Sequence, residues 1–252
     1  MQAWTTVGKP EIHPEPWGRP GAFSTFRVYS NRKTPFLADY LDRLLDSARR
    51  LNLSWIPDST EISGRLSSYL SDLGNDYSGL MRICLFNDLI GLSDRPANSD
   101  GNPVEGWLLN YRRPEPLAKS TAEKDLYGAL SKLEVEKEDW VIIDPKDNNL
   151  RETATSNLIF SSGKKLLIPE KFILQGIVLR QLLPHLNSQF SVTRGIPQDS
   201  ELSDFDEILL CGTGRGVAPL SSLSELGWNS HGDIIFNQVR QIYDSLIEEA
   251  CA

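Results

Sequence analysis

The sequence predicts an α+β protein of two domains, and three observations carry that expectation. Stretches with helical spacing of apolar residues mix with short apolar strands, without regular strand–helix–strand alternation. Arg112-Arg113-Pro114-Glu115-Pro116 strings together X-Pro units that resist both helix and sheet, and it reads as a linker. The 252 residues are enough for one large domain or two small ones, each able to bury a core. The expected division is a smaller α/β domain over 1–110, a linker over 111–118 and a larger domain over 119–252.

The elements follow from local pattern. Residues 22 to 29 alternate large and small side chains and predict a strand. Apolar residues at 37, 41, 44, 45, 48 and 51 mark one face of a helix. A second helix is expected near 62–73 and a buried strand over 79–86. Residues 87 to 105 are rich in Asn, Asp, Gly and Pro and read as a loop. Lys119 is expected to open a helix that runs to Leu133. Short strands follow at Trp140 to Asp144, Asn157 to Phe160, Lys165 to Ile168 and Glu207 to Cys211, and a closing helix from Ile234 to Glu249.

Composition narrows the function classes. A net charge of -8 with no basic cluster disfavours nucleic acid, whose binding rests on Lys and Arg neutralising phosphates. Cys84, Cys211 and Cys251 are odd in number and far apart, which fits reduced thiols better than a disulfide framework. His13, His185 and His231 are equally scattered, so no metal site and no Ser-His triad is expected. No apolar run is long enough to span a bilayer. Pro10, Glu11, Pro14 and Glu15 stand where a secretion signal needs an apolar core, so the cytoplasm is the expected location.

Several short patterns carry chemistry. Glu152-Thr-Ala-Thr-Ser-Asn-Leu-Ile-Phe160 places a carboxylate before a small polar run that re-enters the core. Lys119 lies 33 positions before Glu152, and Gly176-Ile177-Val178 begins 24 positions after it. By itself Lys119 is not distinguished from Lys124 or Lys132, since most lysines are solvated, and an isolated Glu152 reads as an exposed strand-end carboxylate. Gly176 permits a tight backbone turn. Cys211-Gly212-Thr213-Gly214-Arg215-Gly216 reads as an anion nest or a simple turn. Arg43 lies off the apolar stripe of its helix, which by periodicity is a solvated position.

In order and spacing these residues resemble the class IV aminotransferases, the family of branched-chain aminotransferase, D-amino acid aminotransferase and aminodeoxychorismate lyase. The resemblance runs from Phe23 to Leu220 and is strongest from Lys119 to Pro219. It implies a two-domain fold using pyridoxal 5'-phosphate (PLP), bound by the larger domain. Lys119, at the family's spacing, would be the catalytic residue that forms the Schiff base. Glu152 would face the pyridine nitrogen, and Leu174 would pack beneath the ring. Gly176, the amides of Ile177 and Val178, the Thr213 hydroxyl and Arg43 would serve the phosphate. The chain departs from the family at Tyr40, which replaces a His, and at Val178, which replaces a Thr. Leu179 replaces an Arg that here comes one position later as Arg180, and either Phe160 falls one residue late or Leu158 and Ile159 take the family's apolar places. Pro184 is expected to interrupt the helix early.

The resemblance leaves the reaction open. Phe23-Ser24-Thr25-Phe26-Arg27 is similar to the Phe-x-Thr-x-Arg of aminodeoxychorismate lyases and lacks the Phe-Glu-Gly-x-Arg of branched-chain enzymes. Arg82 lies near an Arg that branched-chain enzymes carry, whereas Asn87 stands where D-amino acid aminotransferase has its carboxylate-binding Arg. Phe23, Thr25, Arg27, Arg82, Asn87 and Gly214 are the candidate substrate contacts. The expected activity is transamination of an amino acid. A lyase giving 4-aminobenzoate and pyruvate from an amino-chorismate is the alternative, and a non-catalytic PLP-fold binding protein is a third reading. A homodimer without membrane or nucleic-acid partners is also implied.

Overall fold

A computed structural model describes residues 1–13 and 16–252. Pro14 and Glu15, part of the stretch read against a secretion signal, lie outside the described residues. The chain divides into two compact units, one of residues 1–97, 117–124 and 251, the other of 98–116, 125–250 and 252. The sequence reading placed residues 98–110 in the first domain. They fall in the second because Val104–Asn110 is a strand paired along its length with residues 138–143.

The first unit is built on a sheet of β1 (Gln2–Thr5), β2 (Pro10–Ile12), β3 (Ala22–Val28), β4 (Gly79–Leu85) and β5 (Leu89–Arg95). Its order is β2-β1-β5-β4-β3, and every pairing is antiparallel. Helix α1 (Leu37–Arg50) packs on β3, with the rings of Tyr40 and Phe26 6.1 Å apart. Helix α2 (Ser59–Leu73) starts at Asp58, whose side chain accepts the Glu61 N–H at 2.8 Å as an N-cap should.

Two expectations for this unit fail for identifiable reasons. Residues 87–105 are not one loop, because β5 occupies Leu89–Arg95. Leu89, Ile90 and Leu92 are buried, so this stretch follows the β4 hairpin into the core. Lys119 does not open a helix either. Its carbonyl accepts the Phe23 N–H at 3.0 Å, and the Thr121 N–H donates to the Gly21 carbonyl at 2.9 Å. Those bonds hold 117–121 extended along the edge of β3, and the helix, α3, begins only at Lys124 (Lys124–Ala129).

The second unit contains β6 (Val104–Asn110), β7 (Glu138–Ile143), β8 (Leu150–Thr153), β9 (Asn157–Ser162) and β10 (Lys165–Pro169). After them come α4 (Ile177–Gln189), β11 (Ser191–Gly195), β12 (Glu207–Gly212), β13 (Gly216–Leu223), β14 (Trp228–Asn229) and α5 (Ile234–Cys251). Among the described residues these strands form one sheet in the order β11-β10-β9-β12-β13-β6-β7-β8, with β14 on β13. Because β8 pairs with β9 as well as β7, six strands close into a ring.

Strand alternation then sorts side chains into two cores. Leu158, Phe160, Ile208, Leu210, Ala218 and Leu220 point to one, where the rings of Phe160 and Phe205 lie 5.1 Å apart. Ile159, Leu209, Cys211 and Val217 point to the other, under α4 and α5. Pro184 does not cut α4 short: the helix continues to Gln189, with Leu182 and Leu186 fully buried on either side of the proline. That packing offsets the lost backbone hydrogen bond. No helix of the described residues is long and apolar enough to cross a membrane.

Candidate active site

In the first unit, the strap at 117–121 fixes Lys119 from both sides of its backbone. Its N–H donates to the Ser47 hydroxyl of α1 at 3.1 Å, its carbonyl accepts from Phe23, and its Nζ lies 4.8 Å from the centre of the Phe23 ring. A lysine whose main chain is held in this way presents its amine with little backbone freedom. Phe23, Thr25 and Arg27 share one face of β3 by alternation, and Thr25 sits directly opposite Arg82 of β4. The Arg82 guanidinium lies 4.7 Å from the Trp17 ring centre and 5.9 Å from that of Phe23. Trp17 itself meets Phe23 edge to face at 5.1 Å. Trp17 was not singled out from the sequence, where nothing marks it apart from other aromatics.

The structure does not bring Arg43 or Asn87 to that face. Arg43 donates to Ser24 at 3.1 Å, and Ser24 points to the opposite side of β3 from Phe23. Arg43 is therefore half-buried against the sheet, not solvated as its helical position suggested. Asn87 is exposed in the β4–β5 turn and accepts the Ser54 N–H at 2.8 Å. Asp88 beside it pairs with Arg19.

The second unit holds the carboxylate. Glu152 on β8 is 4% exposed, so the reading of an exposed strand end does not apply. The Leu174 N–H donates to both carboxylate oxygens at 3.2 Å, and Arg113, itself buried, donates to Oε1 at 3.3 Å. Arg113 falls in the stretch read as a linker, so its role was invisible in the sequence. Asn157, opposite Glu152 in the β8–β9 pairing, donates from Nδ2 to the Leu174 carbonyl at 2.7 Å and accepts the Gly176 N–H at 3.0 Å. One polar side chain thus shapes the turn that feeds α4. Ile177 and Val178 are the first two residues of that helix and are buried, Leu179 joins the α4–α5 core, and Arg180 is exposed.

Gly212 carries the second turn up to the polar run after Glu152. A Cβ on Gly212 would stand 2.3 Å from Ser156 Oγ and 2.8 Å from the Thr155 carbonyl, so only glycine permits the approach. Thr213 and Gly214 sit at the tip, partly exposed, and the Gly214 carbonyl accepts from Ser99 at 3.3 Å. Arg215 turns inward, 3% exposed. It donates to the carbonyls of Val135 at 2.8 Å and Glu138 at 2.7 Å and lies 3.6 Å from Asp139.

These residues fit PLP by the chemistry of their donors. The cofactor needs an amine, a carboxylate and phosphate donors. Lys119 is an amine on a fixed backbone, Glu152 a carboxylate held by two donors, and the start of α4 a set of N–H groups entered through a glycine. A Cβ at Gly176 would come within 2.1 Å of Asn157 Oδ1, which leaves that entry to glycine alone.

Comparison with known proteins agrees. The sequence model of the amino-transferase class IV family matches residues 21–223. Branched-chain aminotransferase from Thermoproteus uzoniensis superposes with a TM-score of 0.83 at 17% identity, covering 99% of this chain and 95% of that one. A hypothetical aminotransferase from Mycobacterium tuberculosis in a PLP-bound form gives 0.77 at 16% identity, with 99% of each chain covered. A candidate 4-amino-4-deoxychorismate lyase from Legionella pneumophila gives 0.76 at 18%, covering 94% and 97%. No curated protein sequence gives a match. With a family match over most of its length and a fold shared from end to end with such enzymes, the chain belongs to the class IV aminotransferases and is a PLP-dependent enzyme.

Proposed function

We propose that this enzyme transaminates an L-amino acid, with Lys119 as its catalytic residue. The observation that carries the reading is Glu152, a buried carboxylate fixed between the Leu174 N–H and the Arg113 guanidinium. PLP, when bound, supplies the electron sink that makes a substrate α-proton removable. Lys119 holds the cofactor through its amine and moves the proton at the substrate α-carbon. Glu152 keeps a proton on the ring nitrogen, and Leu174 packs beneath the ring. The N–H groups of Ile177 and Val178, reached through Gly176, hold the phosphate together with Thr213. Phe23, Thr25, Arg27, Arg82 and Gly214 bind or border the substrate, and the guanidinium of Arg82 is suited to a carboxylate.

A second reading, aminodeoxychorismate lyase, is favoured by Phe-x-Thr-x-Arg at Phe23 to Arg27 and by the position of Thr25 opposite Arg82. We also take the enzyme to be a cytoplasmic homodimer that binds neither membrane nor nucleic acid. The net charge of -8 argues against a nucleic-acid partner, and three cysteines far apart in the sequence fit a reducing compartment.

Borohydride reduction of the PLP-loaded protein, followed by peptide mapping, should place the pyridoxyl mass on Lys119; label on Lys124 or Lys132 would refute the assignment. Incubation with L-amino acids and 2-oxoglutarate should then yield glutamate. Pyruvate and 4-aminobenzoate formed from aminodeoxychorismate, with no glutamate in the first reaction, would establish the lyase instead.

A further inference from the structure

Phe172 is an exposed apolar residue on a backbone that large side chains avoid. It is 43% exposed, and its φ of 55° lies in the left-handed region, where a bulky side chain crowds its own main chain. Such a conformation persists only where the surroundings hold it. Phe172 stands two positions before Leu174, whose N–H donates to both oxygens of Glu152 at 3.2 Å.

Two guanidiniums hold the ring. That of Arg112 lies 4.1 Å from its centre and that of Arg151 5.2 Å. Both are anchored by Asp144, a buried carboxylate 3.5 Å from Arg112 and 3.3 Å from Arg151. Arg151 also pairs with Asp147 and donates to the Lys171 carbonyl at 3.4 Å. Arg151 is itself buried, and a cation stripped of water attracts an aromatic face more strongly than a hydrated one.

Strand β8 connects these cations to the carboxylate. Arg151 and Glu152 are consecutive on it, so their side chains leave on opposite faces. Arg112 and Arg113 divide likewise, since Arg112 meets Asp144 and Phe172 while Arg113 meets Glu152. The segment 171–174 is therefore held at one end by Arg151, at Lys171 and Phe172, and at the other by Glu152, at Leu174. Fixing Phe172 fixes the approach of the Leu174 N–H, and an N–H shared by both oxygens fixes the plane of the carboxylate.

We propose that Phe172 is a positioning residue: held by Arg112 and Arg151, it keeps the Leu174 N–H on Glu152 and so sets the orientation of that carboxylate. That the carboxylate is aimed at the ring nitrogen of PLP rests on the proposed function; the hold on Phe172 does not.

Two variants test it. Phe172→Leu keeps an apolar side chain and removes the aromatic face, and Phe172→Tyr keeps the face. In the full chain without PLP, hydrogen exchange of the Leu174 N–H should be about tenfold faster in Phe172→Leu, the order of one desolvated cation–π contact, and as wild type in Phe172→Tyr. The amides of Leu182 and Leu186 in α4 should not change. Wild-type exchange at Leu174 in Phe172→Leu would overturn the proposal, as would faster exchange shared by Leu182 and Leu186, which marks general destabilisation. Fast exchange in Phe172→Tyr as well would dismiss the ring contact. With PLP loaded, a looser Glu152 holds the ring-nitrogen proton less firmly, and a ring without that proton withdraws fewer electrons from the nitrogen bonded to Lys119. The pH midpoint of the visible band should then rise in Phe172→Leu and stay in Phe172→Tyr. An unchanged or lowered midpoint beside faster Leu174 exchange would overturn the orienting of Glu152. Wild-type protein that takes up no PLP would refute the proposed function and leave the exchange result to decide the hold on Leu174.

Discussion

Gly176 and Glu152 show how single residues act here. A methyl group at position 176 would land 2.1 Å from Asn157 Oδ1 and drive that amide away. Asn157 would then lose its bonds to the Gly176 N–H and the Leu174 carbonyl together. Gly176→Ala should therefore destabilise the protein by about 1–3 kcal/mol, two hydrogen bonds' worth, and weaken PLP binding. Chemical denaturation and a PLP titration would check it, and unchanged values for both would remove Asn157 from its shaping role. Glu152→Gln keeps an oxygen for the Leu174 N–H and loses the charge that holds the ring nitrogen protonated. Its turnover should fall by about 10²–10⁴ with the fold intact, and steady-state kinetics at wild-type rates would mean Glu152 does not face the cofactor. The spacing of Lys119, Glu152 and Gly176 was legible in the sequence. Arg113 was not, because a residue in an apparent linker reveals its partner only after folding.

Elements are held by contacts that local sequence does not announce. Helix α5 has Asp233 at its N-cap position, but that side chain makes no capping bond. Glu207 from β12 does the work, accepting the Ile235 N–H at 2.9 Å and the Phe236 N–H at 2.8 Å. A carboxylate there satisfies two open donors and complements the positive end of the helix. Glu207→Gln should cost about 0.5–2 kcal/mol, measured by denaturant unfolding, and leave the PLP absorption band unchanged. The same dependence on neighbours explains the misread elements. Asn87 and Asp88 do mark a turn, but the turn is a hairpin, and the buried Leu89, Ile90 and Leu92 return at once as β5. Lys119 has helical residues after it, yet bonds to Phe23 and Ser47 keep its own segment extended.

At the scale of the whole molecule, the family resemblance leads us to expect a dimer with two-fold symmetry. Light scattering at micromolar concentration should return twice the chain mass of 28.3 kDa, and the monomer mass would count against it. The α+β class, both long helices of the first unit, four of the nine strands described in the second and the order of the chemical motifs were readable from the sequence alone. Those features depend on periodicity and spacing, which act over a few residues or are preserved along the chain. The partition of the chain between its units was decided only by tertiary structure. Residues 98–110 pair as β6 within the larger sheet, while 117–124 return to bond β3 in the smaller one. Strand pairing between distant segments is a long-range interaction, and local pattern says that a strand exists without saying which neighbour it joins. The same holds for Glu152, read as exposed at the end of a strand and found buried between Arg113 and Leu174, because a charge enters the interior only where folding brings partners to it.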